Sequence, residues 1–269
     1  MSKKGFICDL DGVICRGKQM LPGGDKFVDW LKKENKKFLF LSNNSNDTPR
    51  SLQQKLSEMG LDVSQEHFYT SALATVDFLK TQLPGCSVYV VGETGLKNTL
   101  CDAGIRLNDS NPDYVVMGEG ECYSQDTLTR ATNFVKNGAK LIGTNYDIKR
   151  YDGKNLSLIG RTLIVPIEWA TGKQAYFCGK PNPFMMRSGL NFLGCHSSEV
   201  VVVGDRMDTD IISGIECGMS TILVLSGVSS LDTVDKFSYR PSMLVKEVGN
   251  IVKIAEQQKK NIVKAGKWV

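Results

Sequence analysis

The first apolar run of the chain, Gly5-Phe6-Ile7-Cys8, ends in Asp9-Leu10-Asp11-Gly12. A buried strand is expected over Phe6–Leu10, yet two carboxylates one residue apart followed by glycine are poor material for a core. Side chains at i and i+2 leave a strand on the same face. If the chain curls at Gly12, Asp9 and Asp11 can converge on one substrate atom, one attacking phosphorus and the other handling protons. Taken alone, the pair fits a surface strand end equally well.

Outward from this point, short β-rich runs alternate with amphipathic stretches. Lys37–Ser42, Ser87–Gly92, Tyr114–Gly118, Lys140–Thr144, Val200–Asp205 and Thr221–Leu225 read as further strands. Several are apolar almost throughout, which suggests strands buried on both faces, hence a parallel sheet covered by helices. Thr48-Pro49 and Asn182-Pro183 each place a cap residue before a proline at the first helical position. Ser124 opens a helix that runs to Asn137 and stops at Gly138. The fold class expected is α/β, a Rossmann-like parallel-sheet core with an inserted α/β domain. The core takes residues 1–81 and 176–269, and the insert residues 82–175, between the punctuation at Pro84-Gly85 and Gly172.

Three later segments bear on Asp9 and Asp11. Leu39-Phe40-Leu41-Ser42-Asn43-Asn44-Ser45 ends an apolar strand in a hydroxyl and two small amides. At the carboxyl end of a parallel strand, Ser42 Oγ and the following N–H groups can hold phosphate oxygens; a polar loop entering the next helix reads the same way. Phe177-Cys178-Gly179-Lys180-Pro181 fixes a lysine at a non-helical corner. There it can offset a phosphoryl transition state, though most loop lysines are simply exposed. Val200-Val201-Val202-Val203-Gly204-Asp205 is a buried strand ending in Gly-Asp, followed by Asp208 and Asp210. Asp205 suits a hard divalent cation such as Mg²⁺, and Asp210 can orient the metal's waters. Asp208 reads as a helix-start carboxylate favoured by the dipole; N-capping is the competing account of all three.

The bulk properties narrow the classes. The chain has 269 residues, 41% hydrophobic and 23% charged, which suits one large domain or two moderate ones. A net charge of +4 without a dense basic block is too mild to argue for a nucleic acid polymer. The cysteines, Cys8, Cys15, Cys86, Cys101, Cys122, Cys178, Cys195 and Cys217, contain no C-x-x-C pair and read as free thiols of a reducing compartment. With His67 and His196 as the only histidines, a multi-histidine zinc site is not expected. Met1-Ser2-Lys3-Lys4 runs into the first strand without a signal peptide, and no apolar run reaches the ~20 residues of a membrane span. A cytoplasmic protein is therefore expected. Trp30 and Trp169 read as core anchors of their helices, and Ile251–Val269 as an amphipathic basic helix. Asp25, Glu93, Glu119 and Glu121 receive no role.

The order Asp-x-Asp, Ser, Lys, Gly-Asp-x-x-x-x-Asp resembles the haloacid dehalogenase superfamily and its phosphohydrolase pattern. Asp9-Leu10-Asp11-Gly12-Val13-Ile14, Leu41–Ser45, Tyr69-Thr70-Ser71-Ala72, Gly143-Thr144-Asn145, Gly179-Lys180-Pro181 and Thr221–Val228 look like its NagD-type, nitrophenylphosphatase-like subfamily. The resemblance implies that Asp9 is the nucleophile, forming an aspartyl-phosphate, and that Asp11 is the acid and then the base. It implies Mg²⁺ held by Asp9, the Asp11 backbone carbonyl and Asp205, with Asp210 in support. Ser42, the Asn43 backbone and Lys180 would hold the phosphoryl oxygens. The insert would be a cap that closes over a small phosphorylated metabolite and can pair subunits as a homodimer. Phosphotransfer ATPases of the superfamily carry Thr two residues after the nucleophile, so Asp11 points to a hydrolase or a phosphomutase; a non-catalytic phospho-acceptor switch is the more distant alternative. Two cap residues are singled out. Asn145 lies in Gly143-Thr144-Asn145-Tyr146-Asp147, similar to the family's Thr-Asn-Pro-Asp with Tyr146 replacing proline. Arg161 follows where relatives carry a glycine-rich turn, and is either a contact for a second anionic group of the substrate or a solvated loop arginine.

Overall fold

Val200–Gly204 is a strand buried along its whole length, as four consecutive β-branched residues favour on a doubly covered pleated surface. It pairs in parallel with Gly5–Cys8 on one side and Ser220–Val224 on the other. The computed structural model describes residues 3–120, 123–152 and 155–265. In it the six-stranded sheet runs Met243–Val245, Ser220–Val224, Val200–Gly204, Gly5–Cys8, Lys37–Ser42, Phe68–Thr70. Chain order therefore runs outward in both directions from the seam between Gly5–Cys8 and Val200–Gly204. Such a seam is a topological switch point, where open α/β sheets leave a crevice at the strands' carboxyl ends. Asp9 and Asp205 are the first residues beyond these two strands. This is the expected α/β class with a parallel core.

The first strand stops at Cys8 rather than reaching Leu10. Leu10 belongs to a tight turn, its carbonyl accepting the N–H groups of Ile14 at 2.9 Å and Cys15 at 3.1 Å. Gly12 sits in that turn at φ +83°, a conformation side-chain-bearing residues avoid.

The helix starts follow the capping signals. Thr48 Oγ1 accepts from Ser51 N–H ahead of Pro49–Glu58, and Asn182 Oδ1 accepts from Phe184 N–H ahead of Pro183–Leu193. Ser124 forms a reciprocal capping box with Thr127 on Gln125–Lys136.

By internal packing the chain divides into two units, one of residues to Leu41, Gln53–Phe68 and from Met186 on, the other of Ser42–Leu52 and Tyr69–Met185. The first has an aromatic centre in which the Trp30 ring meets Phe6 edge-on at 5.5 Å and stacks on Phe27 at 6.0 Å. Its C-terminal helix is Gly249–Ala265, with Ile251 and Ala255 buried and Lys259 paired with Glu34. Gly266–Val269, Glu121 and Cys122 lie outside the described residues.

The second unit is built on a parallel sheet in the order Tyr176–Phe177, Lys140–Gly143, Tyr114–Met117, Ser87–Val91, Arg106–Leu107. Residues 82–175 fall inside it, together with 42–52, 69–81 and 176–185. Its core includes Val91, Val115, Met117, Val135, Ile164 and Ile167. Trp169 corrects the expectation of a core anchor, since 85% of it is exposed. The helix Arg161–Thr171 buries Ile164, Ile167 and Glu168, an i, i+3, i+4 stripe that leaves position 169 turned toward solvent. The described cysteines are all free thiols, and among described residues no helix is long and apolar enough to cross a membrane.

Candidate active site

In the first unit, Asp9 donates its N–H to Val203 O at 2.9 Å, and its Oδ1 accepts from Leu10 N–H at 2.8 Å. Asp205 is buried; its Oδ2 accepts from Val228 N–H at 2.7 Å and its backbone O from Ser229 N–H at 3.0 Å. Asp210, also buried, lies in the widened helical turn Met207–Ile211, where its Oδ2 accepts from Arg206 N–H at 3.2 Å. Glycines make room for these carboxylates. A Cβ at Gly12 would stand 2.4 Å from Asp205 Oδ2, and one at Gly204 2.1 Å from the Asp210 Cβ.

One carboxylate oxygen from each of Asp9, Asp205 and Asp210 lies within 4.8 Å of the others. Three clustered carboxylates, two of them buried, repel one another unless a cation sits among them. An all-oxygen donor set suits a hard divalent ion rather than a soft one. The structure thus brings together three of the expected ligands.

Asp11 is set apart from this cluster. Its side chain is 56% exposed and its Oδ1 lies 3.7 Å from Lys55 Nζ and 4.0 Å from Cys15 Sγ. Asp208 is engaged by Arg206 through Nε at 3.0 Å and Nη2 at 2.8 Å. Burial opposes ionisation of Asp208, and the guanidinium outweighs it, holding the carboxyl below its usual range.

In the second unit, Ser42 is buried and its Oγ accepts from Asn44 N–H at 3.2 Å. The Asn43 side chain brackets Lys180: its Oδ1 accepts the Lys180 N–H at 2.7 Å, and its Nδ2 donates to the Lys180 carbonyl at 3.0 Å. The same Nδ2 donates to Asp147 Oδ2 at 3.0 Å. Lys180 is 2% exposed, unlike an ordinary loop lysine, and the Lys180–Pro181 bond is cis. Gly179 must lack a side chain, because a Cβ would stand 2.7 Å from both Asn43 Oδ1 and Thr144 O. Burial pushes the neighbouring Cys178 thiol up to about 12, so it is inert rather than nucleophilic.

Asn145 is completely buried. Its Nδ2 donates to Asn43 O at 2.9 Å and to Glu119 Oε1, and its Oδ1 accepts from Asp147 N–H at 3.1 Å. It ties the Ser42–Asn44 loop to the strand ends of its unit. Arg161 is the first residue of a helix, not a loop arginine. Its guanidinium pairs with the buried Glu168, which also accepts from Ala175 N–H at 2.8 Å. Burial opposes the charge, but the Glu168 carboxylate and the Tyr146 hydroxyl raise its pKa above the ordinary arginine value.

The sequence gives no sign of Lys55 or Glu168, leaves Glu119 without a role, and offers Gly227, Val228 and Asp147 only as members of the family-like stretches. Gly227 and Val228 follow a buried strand of the core sheet, the same placement that singled out Asp9 and Asp205. Glu119 lies between two glycines beyond a buried strand, an equally readable sign.

Comparison with known proteins identifies the family. The chain matches the haloacid dehalogenase-like hydrolase model over residues 6–106 and a HAD-hydrolase-like model over residues 177–251. It is 42% identical to the dihydroxyacetone phosphatase of Corynebacterium glutamicum, over 91% of this chain and 90% of that protein. Identity to the ribonucleotide monophosphatase NagD of Escherichia coli is 40%, over 93% of this chain and 99% of the relative. The solved 4-nitrophenylphosphatase of Thermotoga maritima superposes with a TM-score of 0.90 at 28% identity, covering 94% of this chain and 97% of the other. Matches of this extent, reaching both halves of the acid cluster, place the chain in the haloacid dehalogenase superfamily, in its NagD-like branch, as a phosphoric monoester hydrolase.

Proposed function

We propose that this protein hydrolyses small phosphomonoesters with Mg²⁺ through a phosphoryl-enzyme intermediate on Asp9. The observation that carries the reading is the grouping of Asp9, Asp205 and Asp210, with Asp11 standing outside it. The Asp9, Asp205 and Asp210 carboxylates and the Asp11 backbone carbonyl would hold the ion, which would neutralise charge on the phosphoryl group. An Asp9 oxygen attacks phosphorus, the bond from phosphorus to the alcohol oxygen breaks, and Asp11 gives that oxygen its proton. Asp11 then takes a proton from water as the water oxygen attacks phosphorus, and the Asp9 carboxylate is regenerated. Its half-exposed carboxylate suits a base that draws on solvent, which favours hydrolysis over phosphomutase chemistry.

Ser42 Oγ, the Asn43 backbone and Lys180 bind the phosphoryl oxygens, with Lys180 supplying the positive charge that phosphoryl transfer needs. Asn43 positions Lys180 through its side chain, and Asn145 holds the Asn43 carbonyl. Residues 82–175 act as the cap. Relatives named as dihydroxyacetone phosphatase, ribonucleotide monophosphatase and 4-nitrophenylphosphatase support a small phosphomonoester as the substrate.

The test is phosphate release over a panel of phosphomonoesters with Mg²⁺ or EDTA. Wild type is expected to turn over with Mg²⁺ and stop with EDTA, and Asp9→Asn to lose about a thousandfold or more in kcat. Stoichiometric labelling without turnover, or isomerisation without phosphate release, would contradict the proposal.

A further inference from the structure

Tyr146 stands between Asn145 and Asp147, both buried in the network around Asn43, yet 49% of it is exposed. Its ring meets the Phe177 ring edge-on, with centroids 4.9 Å apart and planes at 77°. The Arg161 guanidinium carbon lies 5.5 Å from both ring centroids. Arg161 is in turn fixed by Glu168, so its charge is met inside the unit and it serves as a buttress for the aromatic pair. The result is a tyrosine ring braced from behind and open to solvent, where the family pattern has proline.

Both neighbours of Tyr146 in the chain are hydrogen-bonded to Asn43 of the phosphoryl-binding loop. Asn145 donates to the Asn43 carbonyl, and the Asn43 side chain brackets Lys180, all within one unit. We infer that Tyr146 is a stacking platform for the leaving group, selecting phosphomonoesters whose leaving group carries a flat ring, an aryl alcohol or a nucleoside, over acyclic ones. Every π-face offers the same stacking surface, so the platform selects for a ring without specifying which one. The inference rests on the reading that Ser42, Asn43 and Lys180 hold the phosphoryl group.

The experiment compares kcat/KM for 4-nitrophenyl phosphate and nucleoside 5′-monophosphates with that for glycerol phosphate and dihydroxyacetone phosphate. Wild type is expected to favour at least one of the two ring classes. Tyr146→Ala lowers the ring-to-acyclic ratio for that class about tenfold, mainly through KM, and Tyr146→Phe keeps it within about twofold. A wild type without ring preference, or a ratio unmoved in Tyr146→Ala, overturns the inference. Product inhibition by inorganic phosphate separates this outcome from failure of the underlying reading. If Lys180→Met weakens phosphate inhibition, an unmoved ratio contradicts the platform alone; if phosphate inhibits Lys180→Met as well as wild type, the phosphoryl-binding reading and the platform fall together.

Discussion

Val228 donates its backbone N–H to Asp205 Oδ2 at 2.7 Å, and the residue before it leaves no room for a side chain, since a Cβ on Gly227 would stand 1.9 Å from that same oxygen. Asp205 is therefore aimed by the loop that follows the Ser220–Val224 strand, not by its own strand alone. The same loop reaches the other side of the site, where Ser226 Oγ donates to the Gly12 carbonyl at 2.7 Å.

Gly227→Ala is accordingly expected to displace the Asp205 carboxylate. The Mg²⁺ concentration for half-maximal activity should rise about tenfold or more, and kcat/KM at fixed Mg²⁺ should fall about a hundredfold, because ångström-scale misplacement of a site group costs that much. Titration of activity and calorimetric titration of the metal check this. Wild-type metal affinity in Gly227→Ala would show that the close approach does not matter.

Asp113 sets a pH dependence of stability in the second unit. It accepts from Ser87 N–H at 2.7 Å and Ser87 Oγ–H at 2.8 Å, and these bonds hold its carboxyl below the ordinary value of 3.8. A depressed carboxyl pKa adds stability that is complete above the unfolded value and is lost as pH falls through the folded one. The difference in urea midpoint between wild type and Asp113→Ala should be constant near neutrality and shrink as pH drops below 3.8. A difference that grows on acidification would contradict the assignment.

The two tryptophans give opposite expectations. Trp30→Ala removes a ring packed between Phe6 and Phe27 and should destabilise by about 3–5 kcal/mol. Trp169→Gln alters a side chain that is 85% exposed and should change stability by no more than about 0.5 kcal/mol. Denaturant midpoints of the two variants decide between them.

What could be read from the chain follows a physical line. Asp9, Asp11, Asp205 and Asp210 stand at or just beyond the ends of apolar runs, so local pattern carries their position, while the chemistry expected of them comes from the order of the motifs and the family resemblance. The parallel core was legible for the same reason, in runs such as Val200–Val203. The Asn43–Lys180 bracket joins residues 137 positions apart, and nothing local to either announces it. Gly227 acts by lacking a side chain, which has meaning only once Asp205 is seen against it. Trp169 was misleading because its bulk suggests burial, whereas the helical phase of Ile164, Ile167 and Glu168 decides which side faces inward.

The proposed mechanism has Asp9 carry the phosphoryl group while Asp11 moves the protons. Asp11→Asn should still be phosphorylated by an activated ester such as 4-nitrophenyl phosphate but should be slow to lose the group to water. Mixing it with that substrate and Mg²⁺, quenching, reducing with borohydride and sequencing the N-terminal peptide by mass spectrometry reads the result directly. Homoserine in place of Asp9 is the expected result. Phosphate released in a single turnover with Asp9 unmodified throughout, or the label on another residue, would contradict it.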